Sequence, residues 1–265
     1  MNAEKVTNHI VGWLRNYAIK AKVKGFVIGV SGGIDSALTS TLCAMTGFPT
    51  LCLEMPIHQA DSEVSRALNH VGWLKKTFSN VSMTKVNLTP VFDGLVETFP
   101  DVENEDDRFM SLANTRARLR MTSLYYFAAL KGYLVVGTGN KVEDFGVGFY
   151  TKYGDGGVDL SPIADLLKTE VYELAKFLEI NNDILVAPPT DGLWGDDRTD
   201  EDQIGASYPE LEWAMKQKDK GKSADDFVGR EEEVFKIYNK LHLANKHKMV
   251  AIPVCTVPET IKNYS

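Results

Sequence analysis

Apolar residues along this chain follow two alternating spacings. In some segments they recur at every third or fourth position, as on a helix with one buried face, and between these segments lie short apolar runs typical of buried strands. The helical spacing covers residues 6–21, 36–45, 64–74, 109–128 and 168–178, and the apolar runs are residues 26–30, 51–55, 81–88 and 133–136. Strands that alternate with helices of this length form βαβ units. The predicted fold class is therefore α/β, a doubly wound parallel sheet flanked by helices.

The composition is that of an ordinary folded protein, with 44% hydrophobic and 25% charged residues in a chain of 265. This length is near the upper limit for one core, and we expect a single domain over residues 1–265. We find no run of about 18 apolar residues and no secretory signal pattern at the N-terminus, so we expect a cytoplasmic protein with no membrane partner. The net charge of −7 argues against a nucleic-acid partner, because duplex binding relies on a basic surface.

Two further composition features favour no particular chemistry. Cys43, Cys52 and Cys255 form no CxxC pair, so neither a disulfide framework nor a zinc site is predicted, and we expect three buried thiols. Two acidic runs cover residues 101–107 and 196–202. They are interpreted as solvated loops, with mobile lids as the alternative.

The segment from Gly29 to Ser36, with the sequence GVSGGIDS, is the strongest candidate for a ligand site. It joins a predicted strand to a predicted helix, and open α/β sheets bind ligands beyond the carboxyl ends of their strands. Its paired glycines allow a sharp turn in which several N–H groups point at one anion, and the helix adds its positive N-terminal end. Ser31 and Ser36 can donate hydroxyl groups to phosphate oxygens. Two adjacent glycines alone would favour an ordinary strand-to-helix turn. The full pattern of strand, SGGxDS and helix favours a phosphate loop.

Asp35 is unexpected in a phosphate loop, because a carboxylate repels phosphate unless a cation bridges the two. Magnesium is the natural bridge, since it prefers one or two carboxylates together with phosphates and waters. The loop lacks the Gly-Lys-Ser/Thr of a Walker motif. Two other segments, EMPIHQ and GTGNKVED, follow the second and fourth predicted strands and are expected at the same edge of the sheet.

The SGGxDS loop resembles that of the ATP pyrophosphatases, which cleave ATP between its α- and β-phosphates and transfer AMP to an acceptor oxygen. Further segments resemble the ammonia-dependent NAD synthetase family: NTRARLRM, GTGNKVED, GFYTKYGDGGVDLSPIADLLK, PPTDGLW and HKMVAIP. The resemblance extends from about Val6 to Pro253. It implies a Rossmann-like fold of the adenine nucleotide alpha hydrolase type, and a ligase that amidates deamido-NAD to NAD with ATP and ammonia. It also implies a homodimer with the deamido-NAD site at the subunit interface.

The resemblance further implies roles for residues at matching positions. The implied ATP contacts are Gly29, Val30, Ser31, Gly32, Gly33, Ile34, Asp35, Ser36, Thr138, Lys168 and Thr190. The implied deamido-NAD contacts are Arg118, Lys152, Asp159, His247 and Lys248. Asp35 and Glu143 are the implied magnesium ligands. The second-strand loop, residues 54–58, departs from the family pattern and receives no assignment.

The chemistry of such a reaction needs charge at two points. Pyrophosphate must be neutralised as it leaves, and Lys168 supplies a point charge for that step. Lys168 opens a predicted helix, where a cation opposes the helix dipole, and this misfit favours a functional role. Ammonium must be captured and lose a proton, for which Asp155 in the KYGDGG segment is the candidate, with a turn aspartate as the alternative. Arg116 and Arg120 are four residues apart and are interpreted as helix-surface charges.

Other readings of the loop remain. A tRNA-thiolating enzyme would need a catalytic cysteine pair and a basic surface, and a purine-aminating enzyme would need room for additional domains. A non-catalytic nucleotide sensor would lack phosphate or metal residues, yet Asp35, Glu143, Lys168 and Thr190 are all present. An enzyme is therefore favoured. A separate glutaminase subunit as the source of ammonia stays open.

Overall fold

The α/β prediction is confirmed by the computed structural model, which describes residues 1–189 and 199–262. Its four parallel strands are β1 (Gly25–Gly29), β2 (Thr50–Glu54), β3 (Val81–Lys85) and β4 (Tyr133–Val135), in the order β3-β2-β1-β4. Phe26 of β1 lies opposite Thr50 of β2 and Leu134 of β4. The direction of strand addition therefore reverses at β1. In open α/β sheets the ligand crevice lies at such a switch point, here between β1 and β4.

Helices connect and cover these strands. They are α1 (Ala3–Ala21), α2 (Ile34–Met45), α3 (Asp61–Thr77), α4 (Thr89–Val96), α5 (Glu105–Lys131), α6 (Lys168–Phe177), α7 (Asn182–Leu185), α8 (Asp200–Ile204), α9 (Tyr208–Asp219) and α10 (Arg230–Met249). A π-helical segment, Val142–Val147, follows β4. No helix among the described residues is long and apolar enough to cross a membrane.

Alternate side chains of the strands enter separate cores on the two faces of the sheet, as the pleat requires. Phe26 and Ile28 of β1 pack with α1, α2, α6 and α7, whereas Val27 packs with α4 and α5. α3 covers the β2–β3 part of the sheet through a smaller cluster. A further cluster joins α9, α10 and the π-helical segment around Leu211 and Phe235, both fully buried. This last cluster brings α9 to the edge where β1 and β4 end.

Several boundaries differ from the sequence prediction. β3 ends at Lys85, three residues before the end of the apolar run, and α5 extends beyond the predicted helix at both ends. The acidic run at residues 101–107 is only partly a loop. Its last three residues form the first turn of α5, where carboxylates stabilise the helix dipole and Asn104 caps the N-terminus. In the second run, residues 200–202 begin α8, and residues 196–198 lie outside the described residues.

The prediction of three buried thiols is right for two. Cys43 and Cys52 are buried, and burial raises the pKa of Cys52 to about 12. Cys255 is exposed, in a segment without regular structure that follows α10, so for this residue the prediction was wrong. Its apolar neighbours Val254 and Val257 are exposed as well, so they give it no core to enter.

Candidate active site

The loop between β1 and α2 is held in shape by its own serine hydroxyls. Ser36 Oγ donates to the Gly33 carbonyl oxygen at 2.9 Å and accepts from the Ser31 N–H at 3.3 Å. Ser31 Oγ accepts from the Gly33 N–H at 3.2 Å. Gly32 has a φ of +88°, a conformation that favours glycine. These contacts fix the turn that leads into the N-terminus of α2.

A cleft of about 630 Å³ lies at the carboxyl ends of the strands. It is lined by the three segments that the sequence places at this edge, which follow β1, β2 and β4. Predicted site residues in its lining are Gly29 to Ser36, Thr138, Glu143, Asp155, Lys168 and Lys248. Thr190, an expected ATP contact, lies outside the described residues. The structure therefore gathers most of the predicted ATP contacts at one cleft.

Lys168 joins the two predicted magnesium ligands. Its Nζ donates to Asp35 Oδ2 at 2.5 Å and to Glu143 Oε1 at 3.0 Å. The Lys168 side chain is buried, and burial alone would lower its pKa, but the two carboxylates outweigh burial and raise it. Burial raises the pKa of Asp35, whereas Lys168 and Tyr208 outweigh burial at Glu143 and lower its pKa. A charged lysine thus holds two carboxylates beside the phosphate loop.

Two residues that the sequence analysis did not single out complete this cluster. Tyr208 of α9 is buried, donates from its hydroxyl group to Glu143 Oε1 at 2.5 Å, and has its ring 4.7 Å from Lys168 Nζ. Asn140 donates through Nδ2 to Asp35 Oδ1 at 3.2 Å and accepts from the Glu143 N–H at 3.1 Å. Tyr208 lies 65 positions from Glu143, so no local pattern could indicate it. Asn140 belongs to the GTGN segment, and the position of this segment directly after a strand could have indicated a site residue.

The N-terminus of α6 is capped by a carboxylate from α9. Glu212 accepts from the Thr169 N–H at 2.9 Å and from the Thr169 hydroxyl at 2.8 Å. Glu212 is only 4% exposed. A buried negative charge at a helix N-terminus offsets the unfavourable position of the Lys168 cation there. The misfit that the sequence displays is thus compensated by a residue from another helix.

The glycine-rich segment around residues 146–157 brings Asp155 into the cleft. Asp155 Oδ1 accepts from the Thr151 N–H at 3.0 Å, a bond that lowers the pKa of the carboxyl. Desolvation by the surrounding protein atoms has the larger effect and raises this pKa. Asp144 also lines the cleft, and burial together with Glu143 and Asp155 raises its pKa to about 8. An added Cβ at Gly139 would lie 2.2 Å from the Asp144 carboxylate, so glycine is required there.

Four of the predicted deamido-NAD contacts meet beside the cleft. Arg118 donates to the Lys152 carbonyl oxygen at 3.4 Å, and Lys152 Nζ donates to the His247 carbonyl oxygen at 2.8 Å. Lys248 Nζ donates to the carbonyl oxygens of Gly148 and Tyr150 at 2.9 and 2.8 Å. Among these four, Lys248 lines the cleft itself. The segment after β4 and the end of α10 therefore form one basic group.

Asp159 is not brought into this group. Its Oδ2 accepts from the Val135 N–H at 2.8 Å, and its Oδ1 accepts from the Tyr125 hydroxyl at 3.0 Å. The carboxylate thus binds the end of β4 to α5. Its role as a deamido-NAD contact stays a prediction.

The interpretation of Arg116 and Arg120 as surface charges was wrong for Arg120. Its guanidinium donates to the Met55 carbonyl oxygen at 3.1 Å and to Gln59 Oε1 at 2.8 Å, so it holds the second-strand loop in the wall of the cleft. Arg116 lies 4.7 Å from the centre of the Phe92 ring. Both are therefore packed against other elements.

Residues 6–251 match the family model described as NAD synthase. The NH(3)-dependent NAD(+) synthetase of Carboxydothermus hydrogenoformans is 38% identical over 235 residues, which cover 87% of this chain and 92% of that protein.

Two solved structures share the fold over nearly the full length. The structure of NMN synthetase from Francisella tularensis superposes with a TM-score of 0.81 at 30% identity, covering 98% of this chain and 99% of that one. The NH3-dependent NAD synthetase from Campylobacter jejuni superposes with a TM-score of 0.77 at 25% identity, covering 97% and 100%. The arrangement of strands and helices around the cleft is thus shared with an NMN synthetase and an NH3-dependent NAD synthetase.

Proposed function

The chain belongs to the NAD synthase family, and from that premise we propose that it amidates deamido-NAD to NAD with ATP and ammonia. The observation that carries the proposal is the meeting of Asp35, Glu143 and Lys168 at the phosphate loop. These residues come from three separate parts of the chain. Their convergence at the switch point of the sheet provides charges of both signs where a nucleotide would bind.

The reaction needs ATP because a carboxylate resists attack by ammonia. In the first step an oxygen of the nicotinate carboxylate bonds to the α-phosphorus of ATP. The bond from that phosphorus to the oxygen bridging to the β-phosphorus breaks, and pyrophosphate leaves with the electron pair. In the second step ammonia attacks the acyl carbon of the resulting adenylate, and AMP leaves. The site must therefore bind the triphosphate of ATP, the nicotinate carboxylate and ammonium.

The phosphate loop supplies the fixed part of the triphosphate site. N–H groups of the turn and the N-terminus of α2 are oriented before ATP arrives, so little reorganisation is needed during the reaction. Lys168 provides a charge that is already held in place by Asp35 and Glu143. We assign the loop to the phosphates and Lys168 to the charge that develops on them.

Asp35 and Glu143 fit a magnesium ion. Oε1 of Glu143 accepts from both Lys168 and Tyr208, and the carboxylates of Glu143 and Asp35 both line the cleft at the phosphate loop. The described residues contain no group of three or more metal-binding side chains. Magnesium suits such a pair, because it keeps several waters and binds one or two carboxylates together with substrate phosphates. When bound, the ion would neutralise phosphate charge beside the loop.

Asp155 is assigned to the ammonia step. Its carboxylate lines the cleft with that of Glu143, and these negative charges attract ammonium. Its pKa is raised from the ordinary value, which makes it a better proton acceptor than an aspartate with the ordinary pKa. Asp155 can therefore capture ammonium by charge and take its proton before attack.

We propose that deamido-NAD is bound between two copies of the chain. Arg118, Lys152 and His247 lie beside the cleft and not in its lining, so a second subunit is needed to enclose a ligand that they contact. Exposed Tyr126 and Leu130 on α5 provide apolar surface for such an interface. Light scattering after size exclusion should give the mass of a dimer, about twice 29.4 kDa. A monomer at micromolar concentration would contradict this arrangement.

We place the enzyme in the cytoplasm. Cys43 and Cys52 are both buried free thiols, as is usual in a reducing compartment.

The activity is tested by mixing the purified protein with ATP, Mg²⁺, ammonium and deamido-NAD. NAD, AMP and pyrophosphate should form in equal amounts, and omission of any one component should stop the reaction. Release of ADP in place of AMP would contradict the proposal, because it would place the cleavage at the wrong phosphate.

A second candidate differs only in the nucleotide. The Francisella tularensis structure is that of an NMN synthetase, and it is similar to this chain over nearly its whole length. The same two steps on nicotinate mononucleotide would yield NMN. Comparison of kcat/KM for the two acceptors decides between them, and a preference for the mononucleotide would replace deamido-NAD as the substrate.

A further inference from the structure

Among the described residues that line the cleft, Arg66 is the basic residue whose side chain the protein does not engage. In the part of the chain that the structure describes, four basic side chains line the cleft, those of Arg66, Arg120, Lys168 and Lys248. The last three are held by protein oxygen atoms, as described above. Within residues 1–189 and 199–262, Arg66 makes no hydrogen bond and no ion pair, although its Nε is buried. Its neighbour on α3, Glu63, already accepts a hydrogen bond from Gln59.

Arg66 arises from the part of α3 that touches the phosphate loop. An added Cβ at Gly32 would lie 2.7 Å from the Glu63 carbonyl oxygen, 3.1 Å from the Ala67 nitrogen and 3.2 Å from the Arg66 Cβ. The helix and the loop are thus packed as closely as backbone atoms allow. The Arg66 side chain therefore starts beside the loop glycines and lines the same cleft as they do.

An unpaired guanidinium with a buried nitrogen is costly, because its lost hydration is not replaced by an acceptor. A polyphosphate would supply pairs of oxygen acceptors, and the planar guanidinium of arginine can bind such a pair with two parallel hydrogen bonds. Other anions are less suited to this place, because Asp35, Glu143 and Asp155 line the same cleft and would repel a ligand without a strong counter-charge. The chemistry of the surroundings therefore favours a phosphate group at the loop.

We propose that Arg66 binds the β- and γ-phosphates of ATP and holds them as pyrophosphate when the bond to the α-phosphorus breaks. This inference rests on the proposed function for the position of that bond. As the bond breaks, its electron pair moves to the oxygen that remains on the β-phosphorus, so negative charge grows on the leaving group. Arg66 opposes this charge from α3, and Lys168 opposes it from the start of α6.

The test measures binding of inorganic pyrophosphate, with MgCl₂ present, by titration calorimetry. Arg66→Gln should weaken pyrophosphate binding about tenfold or more, since charge-assisted bonds to phosphate are lost. AMP should bind within about twofold of wild type, because it lacks the β- and γ-phosphates. Arg66→Lys should recover part of the loss, as it restores charge without the planar geometry. Arg15→Gln, on the exposed face of α1, is the matched control and should bind both ligands as wild type does.

Kinetics separates the inference from the proposed function. In Arg66→Gln the kcat/KM for ATP should fall about tenfold or more, whereas the KM for deamido-NAD should change little. Pyrophosphate binding within twofold of wild type in Arg66→Gln would overturn the inference, as would equal weakening of AMP and pyrophosphate. Absence of pyrophosphate binding in the wild-type protein would overturn it too. If pyrophosphate binding depends on Arg66 but no NAD forms, the inference stands and the proposed function fails.

Discussion

At the scale of single residues, Lys168 decides the charge balance of the cleft. It lies between Asp35 and Glu143 and its side chain is almost fully buried. A buried cation that contacts two carboxylates contributes little by its presence, because burial of each charge costs free energy. Its removal, in contrast, leaves two carboxylates without a partner. Lys168 therefore affects folding as well as chemistry.

Lys168→Met should lower the free energy of unfolding by about 3 kcal/mol, since a buried charge pair is broken by loss of one partner. The measurement is urea unfolding at pH 7. Lys141→Met is the control. Its partner Asp165 is fully solvated, so the change should cost less than about 1 kcal/mol. Adding Glu143→Gln to Lys168→Met should restore part of the loss, and an additive double variant would contradict the coupling.

His70 should make stability depend on pH. Its Nε2 lies 3.0 Å from Ser40 Oγ, and burial lowers its pKa to about 4, against an ordinary value near 6.5. The unfolded chain thus binds the proton more readily, so the contribution is complete above about pH 6.5 and is lost as the pH falls towards 4. Between pH 7 and pH 5 the loss should be about 2 kcal/mol.

His70→Gln should remove this part of the pH dependence. Urea unfolding at pH 7 and pH 5 gives the difference for each variant. His9→Gln, at an exposed position, should keep the wild-type slope. An unchanged slope in His70→Gln would mean that His70 does not titrate as inferred.

Asp155→Asn separates the two steps of the reaction. The variant should still form the adenylate, measured as exchange of labelled pyrophosphate into ATP. NAD formation should slow by about 10²-fold or more, as expected on loss of a general base, and should require more ammonium. Loss of pyrophosphate exchange with an unchanged ammonium requirement would move Asp155 to the first step.

At the scale of the elements, α6 and α9 are joined by one carboxylate. Glu212 caps α6 through both polar groups of Thr169. Glu212→Ala should lower the free energy of unfolding by about 2 kcal/mol, because a helix cap is lost and buried donors are left unpaired. Thr169→Val removes one of the two donors and should cost about half as much. Equal stability of Glu212→Ala and the wild type in urea would contradict the cap.

The strands and the helices around them were predictable because their side chains repeat a short pattern. β1 and β2 begin one residue before the predicted runs, and α2 begins two residues before, where Gly33 ends the turn. α5 has a less clearly buried face than the spacing of its apolar residues predicts. Only Ala113 and Ala128 are buried in a helix of 27 residues. A helix with several partly covered faces gives a weak periodic signal.

The composition of the phosphate loop was predictable, but its partners were not. Asp35 and the glycines lie within eight residues of each other, so a local motif specified them. Tyr208 and Glu212 reach the site only because α9 packs against the π-helical segment and α6, and such packing has no local signature. Arg66 was overlooked for the same reason. It belongs to a helix whose contact with the loop depends on the close approach at Gly32.

At the scale of the whole molecule, the cleft lies where two hydrophobic clusters meet. One face of β1 belongs with α6 to one cluster, and α9 with α10 to the other. Lys168, Glu143 and Tyr208 connect them through charge and hydrogen bonds. We propose that the two clusters form one cooperative domain over residues 1–265.

Coincident unfolding is the expected result. Far-UV circular dichroism follows all helices, and tryptophan fluorescence includes Trp213 in the second cluster and Trp73 beside the sheet. Both signals should change in one transition with the same midpoint in urea. Two separated midpoints would show that the clusters fold independently.

The uneven exposure of the three thiols has a practical consequence. Cys43 of α2 and Cys52 of β2 are buried, and burial raises the pKa of both thiols. Cys255 lies in the exposed segment after α10. A maleimide dye applied to the native protein will therefore attach at one place without any engineered substitution. That place is seven residues after Lys248 in the chain, so a change in the emission of the dye on addition of deamido-NAD would test the proposed contact at the end of α10. The native sequence carries its own labelling position for single-molecule work on the tail.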